Sequence, residues 1–138
     1  MSGVLETVLY VQDLARAERF YVDLLGFRKL SGEPGRSLFL RAGASVFLLF
    51  CAKETFRAGS LPPHGGQGPG HVCFAVPERS FGAWKAYLPS HGVPLIQEEA
   101  WPEGGRTFYF HDPDGNLLEI ADRGLWTKYV FYWACASW

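Results

Sequence analysis

Residues 5–27 read LETVLYVQDLARAERFYVDLLGF. Leu5 to Val11 form a β-rich run of apolar and branched side chains. Asp13 then offers a helix N-cap, a short acceptor for the free N–H groups of a first helical turn. Leu14, Ala17, Tyr21 and Leu24 recur at helical spacing, Phe20 and Leu25 widen the stripe, and Gly26 supplies a C-cap. A strand feeding an amphipathic helix must bury the helix stripe on a sheet, so the next question is which strands complete that sheet.

Phe27–Leu30, Ser37–Arg41 and Ser45–Cys51 read as three short strands with glycine-containing turns, which gives the order β-α-β-β-β. Residues 59–70, GSLPPHGGQGPG, hold eight Gly or Pro in twelve and leave no room for a regular element. Beyond that linker the order repeats. His71–Val76 reads as a strand, and Ser80 as the cap of a helix carrying Phe81, Trp84 and Leu88. Pro89 is expected to stop or distort this helix and His91-Gly92 to end it. Val93–Gln97, Arg106–His111 and Asn116–Ala121 follow as strands.

The halves also align residue by residue. ETVLYV matches HVCFAV and sets Glu6 opposite His71; LLGF matches SHGV; RSLFL matches RTFYF, with Arg36 opposite Arg106. A unit of about fifty residues buries too little surface to stand alone, so two must pack together. The prediction is an α+β fold of two βαβββ modules, 4–52 and 71–124, joined by a linker over 53–70. Each mixed sheet carries its helix on one face and leaves the other open and cupped.

Composition narrows the function. The chain has 138 residues, the size of one ordinary domain, and 13 basic against 14 acidic residues give a net charge of −1. That balance argues against nucleic acid, whose phosphates demand clustered Lys and Arg. Apolar residues at 48% with charged residues at 20% exclude intrinsic disorder, and aromatics at 16% must fill a core or line a concave site. Cys51, Cys73 and Cys135 form no CxxC, which argues against a disulfide framework or a thiolate zinc site; Cys51 and Cys73 read as small buried hydrophobes. No signal peptide is visible and no apolar run could span a bilayer, so a cytoplasmic setting is expected.

Three polar residues do not fit a core. Glu6 sits in the first strand, His71 opens the equivalent strand of the second module, and Glu119 interrupts Leu117-Leu118-Glu119-Ile120-Ala121. Two carboxylates facing one cavity repel unless a divalent cation joins them. Each has a plainer reading: an exposed edge residue for Glu6, a histidine satisfied by a backbone carbonyl for His71, a solvent-facing position for Glu119. The shared repeat position of Glu6 and His71 favours the metal.

The turn Asp112-Pro113-Asp114-Gly115 suits a three-residue hairpin loop with Gly115 in the bulge. In that register Asp112 faces Asn116, His111 faces Leu117, and Tyr109 faces Glu119 on the cavity side. A four-residue loop would put Phe108 there instead. Arg106 reads as an anion contact or a solvated strand end, His64 as a lid or an ordinary loop residue, His91 as the helix end and His111 as a rim neighbour.

TVLYVQDLARAERFYVDLLGF, GPGHVCFAV and RTFYFHDPDGNLLEIAD together resemble the vicinal oxygen chelate superfamily over residues 4–124. That superfamily includes glyoxalase I, extradiol dioxygenases, fosfomycin-resistance transferases and bleomycin-resistance proteins. The resemblance implies paired βαβββ modules around a divalent metal held by Glu6, His71 and Glu119. A fourth ligand position falls on Phe47 or Leu48, neither of which can ligate. Extradiol dioxygenases carry His where Glu6 stands. Fosfomycin transferases share a tyrosine at the Tyr109 position, but their serine-rich potassium loop is not evident in residues 102–107.

The implied chemistry is bidentate chelation of two adjacent substrate oxygens by Zn, Mn, Fe, Co or Ni. Tyr109 and Glu6 would be the catalytic groups, with Tyr109 and Arg106 binding substrate. The resemblance also implies a homodimer in which Glu6 of one chain completes a site with His71 and Glu119 of the other. The competing readings are a metal-free small-molecule binding protein of the bleomycin-resistance type and an accessory domain without chemistry. The tail, residues 125–138, carries six aromatics and is expected to pack on the dimer or over a cavity mouth.

Overall fold

A computed structural model describes residues 3–57 and 59–126. The chain divides into two compact units, one of Met1–Gly70 with Asp112–Asn116 and one of His71–His111 with Leu117–Trp138. Each contains a four-stranded mixed sheet with helix packed on one face, in the order β-α-β-β-β.

In the first unit, β1 (Glu6–Val11) lies parallel to β4 (Ser45–Cys51), and β3 (Ser37–Ala42) and β2 (Arg28–Glu33) complete the sheet in the order β1-β4-β3-β2. Helix α1 (Leu14–Glu18) runs on as a wider π-type turn over Arg19–Leu24. The Asp13 side chain caps it by accepting from the Arg16 N–H at 3.0 Å. Ala17, Phe20, Tyr21 and Leu25 are buried, and Tyr21 meets Phe47 edge-on with ring centroids 5.3 Å apart. Tyr21, Leu40, Phe47 and Leu49 are fully buried, each contributing about 1.5–3 kcal/mol by burial. The Tyr21 hydroxyl donates to Asp112 Oδ2 at 2.8 Å, and burial first, then the Asp112 charge, push its ionisation far above the ordinary tyrosine range. A one-turn helix α2 (Ala52–Thr55) stands where the linker was expected to begin, and residues 59–70 hold no helix or strand.

The second unit repeats the plan with β5 (His71–Val76), α3 (Glu78–Ser90), β6 (Gln97–Ala100), β7 (Arg106–His111) and β8 (Leu117–Asp122), in the sheet order β5-β8-β7-β6. Phe81 and Leu88 of α3 are buried, and Phe81 packs edge-on against Phe108 at 5.1 Å.

Three local expectations need correction. The strand expected over Val93–Gln97 is formed by Gln97–Ala100. Val93 instead closes the preceding helix, its N–H donating to Leu88 O at 2.9 Å, and Pro94 has no N–H to give to a ladder. Ser80 lies inside α3, which begins after Pro77. Pro89 sits within the last turn of α3, where only one residue follows it, so it does not stop the helix early. Among the described residues no helix is long and apolar enough to cross a membrane.

Candidate functional site

The hairpin joining β7 to β8 fixes the site. The Asp112 N–H donates to Asn116 O at 3.0 Å and Gly115 N–H to Asp112 O at 3.0 Å, with Gly115 at φ +82. Asp112 Oδ1 also accepts from the N–H groups of Asp114 (2.9 Å) and Asn116 (2.8 Å), which holds the turn closed. This is the three-residue loop, and its register sets Tyr109 opposite Glu119 and His111 opposite Leu117. The parallel pairing of β5 with β8 sets Cys73 beside Glu119, and β6 sets Gln97 beside Tyr109. One row of side chains, Cys73, Glu119, Tyr109 and Gln97, therefore crosses all four strands on the face turned away from α3, with His71 one pleat along.

Cys73, Glu119 and Tyr109 of that row floor a cavity of about 440 Å³ in the second unit. Its lining includes His71, Cys73, Tyr109 and Glu119 from the sheet, and Trp101 and Trp126 from the turns beyond it. Glu119 is buried, with a side chain only 8% exposed, whereas the His71 side chain is 48% exposed. His71 Nδ1 lies 3.0 Å from Leu117 O. A carbonyl only accepts, so Nδ1 carries a proton and Nε2 is the ring nitrogen turned to the cavity. Nε2 lies 3.4 Å from Glu119 Oε2.

This donor chemistry fits a divalent ion. An imidazole nitrogen and a carboxylate oxygen face one another, the imidazole is oriented by a backbone carbonyl in the manner of a metal-ligating histidine, and 3.4 Å suits two ligands each about 2.0–2.2 Å from one ion. Among the described residues, no three His, Cys, Asp or Glu side chains gather as a metal-holding group.

Tyr109 is held from behind. The Trp101 indole N–H donates to Thr107 Oγ1 at 3.2 Å, and the Thr107 hydroxyl reaches the Tyr109 oxygen at 3.5 Å. The Tyr109 oxygen accepts in this chain, which leaves its own proton to be directed into the cavity. Cys73 is exposed on the cavity floor, a correction to the buried hydrophobe expected there, because its strand position faces the cavity instead of the helix. Partial burial of the sulfur against the cavity floor, then the neighbouring Glu119 charge, push its thiol up to about 12. Cys51 is buried as expected, and Cys135 lies outside the described residues.

Arg106 does not join the cavity. Its Nε donates to buried Asp122 Oδ2 at 3.1 Å and its guanidinium carbon lies 4.6 Å from the centroid of the Phe81 ring, so it is spent on the helix side of the sheet. The expectation of Arg106 as a substrate contact is corrected accordingly. Glu6 is exposed at the start of β1 in the first unit, paired with Val46 as His71 is paired with Leu117. By the same correspondence Val8–Leu48 matches Cys73–Glu119, so Leu48 stands where Glu119 stands in the other sheet and Phe47 faces Tyr21. His64 is held in the first unit, its Nδ1 2.8 Å from the Tyr10 hydroxyl and its ring edge-on to Phe50 at 4.8 Å. His91 caps α3. Trp101 is the wall residue that sequence reasoning missed; its place between β6 and a Pro-Glu-Gly-Gly turn carries no pattern that would announce it. Trp126 was assigned to the tail, whose remaining aromatics lie outside the described residues.

A family model described as Glyoxalase/Bleomycin resistance protein/Dioxygenase superfamily matches residues 3–120. The fold is similar to that of lactoylglutathione lyase from Agrobacterium tumefaciens, with 35% identity, a TM-score of 0.87, and 91% of this chain and 97% of that one covered. It is also similar to a protein from the mobile metagenome of V. Pseudocholerae, with 25% identity, a TM-score of 0.71, and 90% and 96% covered. The fosfomycin resistance protein FosX from Mesorhizobium loti shares the fold at 19% identity and a TM-score of 0.64, with 93% and 98% covered.

Proposed function

The chain belongs to the glyoxalase/bleomycin resistance protein/dioxygenase superfamily, and from that premise we propose that it is a metal-dependent enzyme acting on a small molecule with two adjacent oxygens. His71 and Glu119 hold the divalent ion, and Glu6 of a second copy completes the set in a homodimer. When bound, the ion supplies Lewis acidity toward the paired oxygens and stabilises negative charge that develops on them.

The observation that carries the reading is the His71–Glu119 pair: an imidazole Nε2 aimed by the Leu117 carbonyl on the opposite ring nitrogen, 3.4 Å from a buried carboxylate oxygen on a cavity floor. Tyr109 stands opposite Glu119 in the register, with its hydroxyl proton free to orient a substrate oxygen or to be donated to it. Glu6 of the partner copy would serve as base once substrate releases it from that set. Trp101 and Trp126 add apolar wall against which a substrate can pack. Similarity to a lactoylglutathione lyase at 35% identity puts lyase chemistry first among the superfamily reactions. The free thiols of Cys51 and Cys73 suit a reducing, cytoplasmic setting.

Metal analysis tests this. Purified protein reconstituted with Zn, Mn, Fe, Co or Ni should hold one ion per site, and Glu119→Ala, His71→Ala and Glu6→Ala should each lose most of it. Mass measured on dilution should show a dimer that Glu6→Ala leaves intact, since Glu6 is exposed and at a strand end. A metal-loaded monomer would sink the shared site. A metal-free binding protein is the second reading, favoured by the aromatic side chains Tyr109, Trp101 and Trp126 in the cavity lining. Near-zero metal in wild type and variants alike after reconstitution would establish it.

A further inference from the structure

The turn that sets Tyr109 against Glu119 also carries a carboxylate to which the proposed reaction gives no role. Asp114 belongs to the first unit with the rest of the hairpin tip, and its side chain is only 4% exposed. Oδ1 accepts from the Gln12 N–H at 2.9 Å and from Arg16 Nη2 at 2.9 Å. Oδ2 is buried and meets no donor of the protein. Buried carboxylate oxygens ordinarily take a donor, because an unmet one forfeits its hydration without return.

Asp114 stands in the wall of a cavity of about 190 Å³ whose lining residues all belong to the first unit, and none of them lines the cavity over Glu119. Tyr10, Gln12, Gly66, Gly68 and Asn116 contribute to that wall. A Cβ on Gly66 would fall 2.8 Å from Tyr10 Cδ2, and Gly68 adopts φ +78, so both wall positions of the linker favour glycine. The volume is several times the roughly 30 Å³ that one water takes in the liquid, which is room for a small organic group.

The tip is also short of positive charge. Asp112, 5% exposed, takes only neutral donors: the Tyr21 hydroxyl, the Asn116 amide and the N–H groups of Asp114 and Asn116. Among the described residues, Arg16 is the one cation paired with either aspartate. Two buried carboxylates therefore meet one guanidinium, and a single further positive charge would balance them. A bare metal ion would need several free oxygens. Here Asn116 Oδ1 already accepts from the Gly70 N–H, Asp114 Oδ1 has two donors, and the Tyr10 hydroxyl is bonded to His64 Nδ1. An ammonium group needs fewer acceptors and brings the N–H that Oδ2 lacks.

We propose that this cavity binds the primary ammonium group of a small organic amine, with one ammonium N–H donated to Asp114 Oδ2. The Asp114 charge supplies the affinity. Arg16, bound to the other oxygen of the same carboxylate, limits it.

NMR titration of the full-length protein tests this, with the backbone amides of Gln12, Gly66 and Asp114 as reporters. The probes are n-propylammonium, potassium, propionamide and acetate, at an ionic strength held constant with tetramethylammonium chloride. The amine is expected to bind with a dissociation constant on the order of 1 mM. Potassium and propionamide should bind about tenfold more weakly or less well still, and acetate should not bind. Asp114→Asn, which keeps an oxygen for Gln12 and Arg16, should weaken the amine by about tenfold or more. Arg16→Gln should tighten it several-fold, because a competing positive charge is gone. A gain cannot come from a damaged fold, so Arg16→Gln decides alone if Asp114→Asn does not fold.

Potassium or propionamide binding as tightly as the amine overturns the ammonium assignment. Amine binding that survives Asp114→Asn or weakens in Arg16→Gln overturns the site. So does an absence of response up to about 100 mM amine, which would make water the occupant.

Discussion

Replacing Glu119 by glutamine should make the protein more stable and less able to hold metal. The Glu119 side chain is 8% exposed and meets the half-exposed His71 imidazole at 3.4 Å and the neutral Cys73 thiol. A buried carboxylate so weakly compensated costs stability, and an amide of the same volume removes the charge without opening a cavity. The gain is about 1–2 kcal/mol for metal-free protein. In a chain of this length that is a rise in Tm of roughly 3–8 °C. Zinc at a hundredfold excess over its dissociation constant should add about 2.7 kcal/mol to the wild type and little to the variant. The order of stabilities should therefore invert: Glu119→Gln melts higher without metal and lower with it. Thermal melts in chelator and in zinc read both arms. A variant that melts below the wild type in chelator would refute the reasoning, since the carboxylate would then be a structural partner of His71 and Cys73. An equal zinc increment in both proteins would refute it from the other side.

Tyr21→Phe should cost about 1–3 kcal/mol in urea titrations, because it strands buried Asp112 Oδ2 without one of its donors. The same hydroxyl predicts an alkaline limb. Its ionisation lies above the ordinary 10.0, chiefly through burial, so its contribution is complete below pH 10 and is lost as pH rises beyond it, where only the unfolded tyrosine ionises; Tyr21→Phe should flatten that limb. Asn116→Ala removes donors to Tyr10 O (3.1 Å) and Asp112 Oδ2 (2.8 Å) and the acceptor for Gly70 N–H (2.8 Å), and should cost about 2–4 kcal/mol by the same measurement. Gly105→Ala, with a positive φ and a Cβ falling on the Leu125 backbone, should destabilise by about 1–3 kcal/mol in the same titration.

The repeat was readable because its two signals are local. Strand runs such as ETVLYV and HVCFAV and the apolar stripe of 14–25 depend on neighbouring residues, and the DPDG turn chemistry dictated a register that set Tyr109 against Glu119. Tertiary competition was not readable. Val93–Gln97 has strand-forming composition, yet Val93 gains more by capping α3 under Leu88 than by pairing ahead of Pro94. Arg106 and Cys73 illustrate the same limit at the site. Which face of a strand meets the helix decides whether an arginine binds ligand or holds Asp122, and whether a cysteine is buried or lines a cavity. Trp101 and Gly105 escaped because their roles rest on a backbone contact with Gly124 and Leu125 some twenty residues away.

The chain enters its first unit twice, once through residue 70 and again for five residues at Asp112–Asn116. Those five carry the partners of Tyr21, Gln12, Arg16 and Tyr10. The internal duplication therefore no longer divides at its own seam. A gene split at the glycine-proline segment would yield one polypeptide missing its keystone and another carrying that keystone with nothing to lock into. The two products should regain structure only when expressed together, and an ancestor of the half-size form would have had to trade this tip between copies.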